Sequence, residues 1–163
     1  MSEIIEFKNN YTLWFHKLND NNWERKTYRM IYTFGNVKDF WKMFNNLPTV
    51  NSFMLFLMKE NIFPTYEDPE NINGGCWSYR VQRKDLQQVW KLLCIALISN
   101  NIENDSNNII TGISINPKNC VLKIWCKETP TDEMHLGFKI SGMDLTKFIV
   151  MNHKAKSDES KKK

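Results

Sequence analysis

Residues 11–47 read YTLWFHKLNDNNWERKTYRMIYTFGNVKDFWKMFNNL, and the change of period inside this stretch decides the fold. Residues 11–17 (YTLWFHK) and 27–34 (TYRMIYTF) are rich in aromatic and β-branched side chains, which suit strands. The polar run Asn19-Asp20-Asn21-Asn22 between them predicts a loop. The two strands therefore form a hairpin whose loop carries Trp23. Asn36 then supplies an N-cap for a helix through Asn46. On that helix Val37, Phe40, Trp41, Met43, Phe44 and Leu47 fill an arc of roughly 160°, wider than the stripe that covers one core. Phe40, Met43 and Leu47 can face inward. Val37 and Trp41, four residues apart, then lie at the edge of the arc, in the core or open to a partner.

Working outward, residues 53–57 form a short apolar segment, and 62–75 a loop with two prolines and a Gly-Gly pair. Residues 76–82 (CWSYRVQ) alternate as a strand does. Asp85 starts a second helix to about Ser99, with Leu86, Val89, Trp90, Leu93 and Leu97 on one face. Residues 100–108 are a polar loop. Residues 109–115 and 120–126 pair around the turn Asn116-Pro117-Lys118-Asn119. A weaker helical segment spans 131–140, and 147–152 is a last strand. Hairpins interspersed with amphipathic helices predict an α+β fold: a mostly antiparallel sheet with helices on one face. The other sheet face and its rim loops are then free for a ligand.

The chain has 163 residues, enough for one domain with its own core. We expect a single domain over 1–152 followed by a basic tail over 153–163, with 157–163 disordered. Net charge is +4, but five lysines against Asp158 and Glu159 put +3 of it after residue 152, leaving about +1 on the body. A general polyanion surface is not implied. None of Cys76, Cys94, Cys120 and Cys126 forms a C-x-x-C pair. With three histidines in the chain, a zinc site is poorly supported, and buried reduced thiols are expected. The first residues lack the basic and apolar regions of a signal peptide, and no apolar run reaches membrane-spanning length. A soluble, cytoplasmic monomer without metal, cofactor or membrane partner is expected.

Nucleophile elbows, phosphate loops, dinucleotide fingerprints and H-E-x-x-H are absent from the sequence. His16 sits in an apolar strand and His135 in the weaker helix, structural settings for both, so an enzyme is not expected. What stands out is aromatic side chains in polar loops. Trp23 follows one. Tyr66 lies in Pro64-Thr65-Tyr66-Glu67-Asp68. Two such rings can sandwich a flat base while a glutamate accepts from guanine's N1–H and N2–H₂. A methylated, cationic guanine stacks better still. Loop aromatics also serve protein interfaces.

Over residues 11–150 the sequence resembles the eukaryotic translation initiation factor 4E family, the messenger RNA cap-binding proteins. The landmarks occur in order: Leu13-Trp14-Phe15, then Trp23; Val37-Lys38-Asp39-Phe40-Trp41; Tyr66-Glu67-Asp68, then Gly74-Gly75-Cys76-Trp77; Trp90, then Leu92-Leu93-Cys94; Lys123-Ile124-Trp125; His135-Leu136-Gly137; and Lys147-Phe148-Ile149-Val150. The resemblance implies a curved antiparallel sheet with helices on its convex face and the cap in the concave face. It implies that Trp23 and Tyr66 stack on the base, that Glu67 reads guanine and that Trp125 touches the N7-methyl group. Tyr66 stands where the family usually has Trp. The family's basic phosphate-binding positions fall on Cys76, Asn116 and Val121, none of them charged. Lys118, Lys123, Arg80, Lys154 and Lys156 are the substitutes that the surrounding sequence offers.

On the opposite side the resemblance implies a surface for a scaffold protein or repressor peptide at Val37, Trp41 and Trp90, bound as a helix in a groove. The family's N-terminal His-Pro-Leu has no counterpart, the chain reading Ile5-Glu6-Phe7, and Leu92 replaces an acidic residue. The implied function is cap binding in translation initiation, with capped messenger RNA and the scaffold or repressor as partners. Alternatives are a cap-binding repressor that does not recruit the scaffold, a single-stranded RNA module without cap selectivity, and an adaptor using the partner face alone.

Overall fold

A computed structural model describes residues 3–102 and 109–162. Seven strands form one antiparallel, curved sheet. They are β1 (Glu6–Lys17), β2 (Arg29–Asn36), β3 (Phe53–Lys59), β4 (Gly75–Arg80), β5 (Ile110–Asn116), β6 (Val121–Cys126) and β7 (Phe148–Asn152). Their spatial order is β2-β1-β3-β5-β6-β4-β7. The helices are α1 (Val37–Asn45), α2 (Leu86–Ile98) and α3 (His153–Ser160). The expected α+β class is the observed one.

The period of two in the strands sorts side chains onto two faces. Tyr11, Leu13, Leu55, Leu57, Trp77, Tyr79, Ile113, Ile115, Leu122 and Ile124 join α1 and α2 in the main core. The alternate residues, Trp14, Met54, Phe56, Met58 and Trp125, form a second apolar cluster on the other face with Tyr28, Phe63 and Tyr66. This second cluster is the floor of the site.

α1 begins as its sequence predicts. Asn36 Oδ1 accepts from the Asp39 N–H at 2.8 Å, and Asn36 Nδ2 donates back to Asp39 Oδ2 at 3.0 Å. Phe40 and Met43 are buried, whereas Val37, Trp41 and Leu47 are half-buried. The turn between β5 and β6 is held by Asn116 Oδ1, which accepts from the Lys118 N–H at 3.1 Å.

Three expectations are corrected. Trp90 is 1% exposed inside the main core, so it cannot meet a partner. Its position on the apolar stripe of α2 puts it against the sheet. Residues 131–140 form bends and an isolated bridge, Ile102 to Leu136, rather than a helix. Here Trp77 Nε1 donates to the Asp132 carbonyl at 2.7 Å, which spends that carbonyl on the core instead of a helical turn. The tail expected to be disordered is α3 over most of its length. Asn152 caps it by accepting from the Ala155 N–H at 3.1 Å, and His153 and Ser157 are buried. The loop expected over 100–108 lies partly outside the described residues, as do residues 1–2 and Lys163. Among the described residues, no helix is long and apolar enough to cross a membrane.

Candidate nucleic-acid cap site

A cavity of about 710 Å³ opens on the second face of the sheet. Trp23, Tyr66, Glu67 and Trp125 all line it, although they come from the β1–β2 loop, the 62–75 loop and β6. Lys123 and Lys156 line it too.

Trp23 is 49% exposed, yet its ring is not loose. It stacks on His16 at 4.3 Å between centroids and 11° between planes. His16 is fully buried, with Nε2 at 2.8 Å from the Asn22 carbonyl and Nδ1 at 2.9 Å from the Lys17 carbonyl. Asp20 and Asn22 tighten the loop through side-chain bonds to the Asn22 and Glu24 N–H groups, each 2.9 Å. The expected structural role of His16 is thus observed, and it backs one wall of the cavity.

Tyr66 forms another wall. Its ring stacks on Trp125 at 5.2 Å and 22°, and packs on His153 at 4.9 Å. Lys123 Nζ donates to Tyr66 Oη at 2.9 Å. Trp125 is buried, and its Nε1 donates to Ser114 Oγ at 2.9 Å. Glu67 is exposed and carries no hydrogen bond or ion pair among the described residues, leaving its carboxylate available.

Buried Asn71 holds the Tyr66 loop. Its Nδ2 donates to the Phe63 and Thr65 carbonyls at 3.1 and 2.9 Å, and Thr111 donates to its Oδ1 at 2.8 Å. Asp68 accepts from the Phe63 N–H at 2.9 Å. Arg25 lies 4.0 Å from the centre of the Phe63 ring, tying this loop to the segment after Trp23. Gly74 returns the chain to the sheet so closely that a Cβ would collide with the Cys126 carbonyl.

The five basic candidates separate. Lys123 and Lys156 reach the cavity, whereas Arg80, Lys118 and Lys154 are exposed and do not line it. Lys156 pairs with Glu159 at 3.1 Å. Burial disfavours the Lys123 ammonium, but the Tyr66 oxygen and Cys76 outweigh it and raise its pKa. His153 is held neutral: burial pushes its pKa down to about 4, the Asn71 carbonyl opposes this, and Lys123 adds to it. Nδ1 then donates to the Asn71 carbonyl at 2.8 Å, and Nε2 has no partner. The reading of the sequence missed His153, Tyr28 and Ser114. Ser114 could have been found from strand parity, being opposite Lys123 in the β5–β6 register.

The family model for eukaryotic initiation factor 4E matches residues 6–163. The chain belongs to that family. Initiation factor 4E of Candida albicans is 31% identical over 160 residues, covering 90% of this chain and 74% of its own length. Initiation factor 4E-3 of Arabidopsis thaliana is 29% identical over 138 residues, which are 80% of this chain but 57% of that protein. The chain thus spans little more than half of some curated 4E relatives. Among solved structures, Caenorhabditis elegans 4E-3 with the 4E-binding protein Mextli and cap analog is similar at a TM-score of 0.69 and 26% identity. That match covers 77% of this chain and 76% of the other. Ascaris suum 4E-3 with m7G cap shares the fold at a TM-score of 0.70 and 23% identity.

Proposed function

We propose that this 4E-family chain binds the 7-methylguanosine cap of messenger RNA and acts in translation initiation. The observation that carries the reading is one cavity lined by Trp23, Tyr66, Glu67, Trp125 and Lys123. Trp23 and Tyr66 offer π-faces to the base, and the positive charge of a 7-methylated guanine strengthens the attraction. Glu67 accepts from the guanine N1–H and N2–H₂. Trp125 meets the methyl group at the cavity floor, and Lys123 with Lys156 meets the phosphates. Each step is recognition, and no bond is made or broken.

The relatives' complexes with cap analog and with 4E-binding proteins support the same ligand class and a second, protein partner. On α1, Val37 and Trp41 remain half-exposed, and Lys91 of α2 lies 5.7 Å from the centre of the Trp41 ring. This surface suits a short amphipathic helix from a scaffold or repressor.

Tryptophan fluorescence tests the cap reading. Quenching by 7-methyl-GTP and weak quenching by GTP at matched ionic strength is the expected result. Equal quenching by both, or none, discards it.

A further inference from the structure

Lys123 touches two parts of the site, the Tyr66 wall through a hydrogen bond and the cavity it lines itself. Its ammonium has three N–H donors. One goes to Tyr66 Oη at 2.9 Å. No carboxylate pairs with Lys123 among the described residues, although it lines a cavity that Glu24 and Glu67 also line. The lysine is half-buried and its charge is held by the Tyr66 oxygen, so its remaining N–H donors can meet an anionic ligand in the cavity.

The phenol is essential to this arrangement. An indole carries only a donor, and a phenyl ring carries neither donor nor acceptor, so neither can accept from an ammonium in this way. Tyr66 can. Its ring is then fixed at both ends: by stacking on Trp125 at 5.2 Å and by Lys123 at Oη. Trp125 is itself anchored on Ser114. The chain of contacts runs from β5 through β6 to the 62–75 loop.

Resting on the cap-binding reading, we infer that Lys123 is a shared donor: it positions the Tyr66 ring against the base and takes the ligand's first phosphate. Stacking and phosphate recognition are thereby coupled through one ammonium. The first phosphate is the one concerned, because a lysine tethered to the stacking wall reaches the phosphate nearest the nucleoside. Tyr66 and Lys123 form a matched pair, in which the loss of either costs both functions.

The test uses the parent chain, Tyr66→Phe, Lys123→Met and the double variant. Each is titrated with 7-methylguanosine, 7-methyl-GMP and 7-methyl-GTP. Lys123→Met should weaken binding of the phosphate-free nucleoside about three- to tenfold, the net worth of one hydrogen bond, and 7-methyl-GMP further. Tyr66→Phe should weaken the nucleoside to a similar extent, and the double variant no more than either single one. Tyr66 ring resonances, read by NMR without ligand, should move away from their Trp125-shifted positions in Lys123→Met.

If Lys123→Met keeps parental nucleoside affinity, or if its Tyr66 resonances stay in place, Lys123 is only a phosphate cation and the inference fails. Additive losses in the double variant overturn it as well. A parent that binds none of the three ligands overturns the cap reading itself, and the coupling with it.

Discussion

Trp23 is a half-exposed ring with a rigid support. Its outer half faces the cavity while its inner face rests on buried His16. A rigid, half-exposed ring presents a flat surface with little ordering cost on binding. Trp23→Ala should weaken 7-methyl-GTP binding by about 1–3 kcal/mol. Isothermal titration would read this as a loss of affinity, with thermal stability nearly unchanged because the loop retains its own hydrogen bonds. On the proposed cap-binding reading, Glu67 acts on identity rather than strength. Without its carboxylate the guanine edge is left unpaired. Glu67→Ala should therefore narrow the preference for 7-methyl-GTP over 7-methyl-ATP, measured by competition; an unchanged ratio would remove Glu67 from the site.

At the scale of elements, α1 and α3 make contrasting predictions. α1 is capped by Asn36 through two reciprocal bonds to Asp39. Asn36→Ala should lower global stability by about 1 kcal/mol in urea unfolding. α3 is docked through His153, whose ring packs on Tyr66 and Trp125. Its pKa is depressed from 6.5 to about 4, so the folded state resists a proton that the unfolded chain accepts. The stability that neutral His153 contributes is complete above pH 6.5 and falls as pH drops toward 4, by up to about 3 kcal/mol. His153→Phe keeps a ring but removes the titration. Urea midpoints between pH 7 and 4.5 should therefore fall less steeply in His153→Phe than in the parent; parallel slopes would show that His153 does not titrate in this window.

At the scale of the molecule, the sheet separates two surfaces. One face packs on α1 and α2, and the other carries the cavity. Trp41→Ala should impair capture of a short amphipathic helical peptide from a scaffold or repressor in a binding titration while leaving the 7-methyl-GTP affinity within about twofold, since separate sites act additively. Coupled losses at both sites would show that the sheet transmits strain between them.

Much of this is legible in the sequence. Aromatic and β-branched alternation located β1, β2 and β4–β7, and the Asn36 cap with its apolar arc located α1, because these signals are local. Trp23, Tyr66 and Glu67 were legible because large rings in polar loops lack a core explanation. Lys123 and Trp125, two residues apart in one strand, take the same face by parity alone. What sequence could not weigh were competitions between distant groups. Trp90 looked like a surface residue by resemblance, yet it is enclosed by the sheet. The stretch 131–140 has helical spacing, but Trp77 claims one of its carbonyls. Residues 153–160 look solvated in composition, yet His153 finds the Asn71 carbonyl 82 positions away and brings a helix into the site. The same holds for the Lys123–Tyr66 bond, whose partners are 57 positions apart. Period, capping and turn chemistry are properties of neighbours along the chain, so sequence alone determined β1, β2, β4–β7, α1 and α2 and the faces their residues take, but not the path of 131–140 or α3. Which buried donor meets which acceptor depends on how loops close over the sheet, and only the tertiary structure decided that.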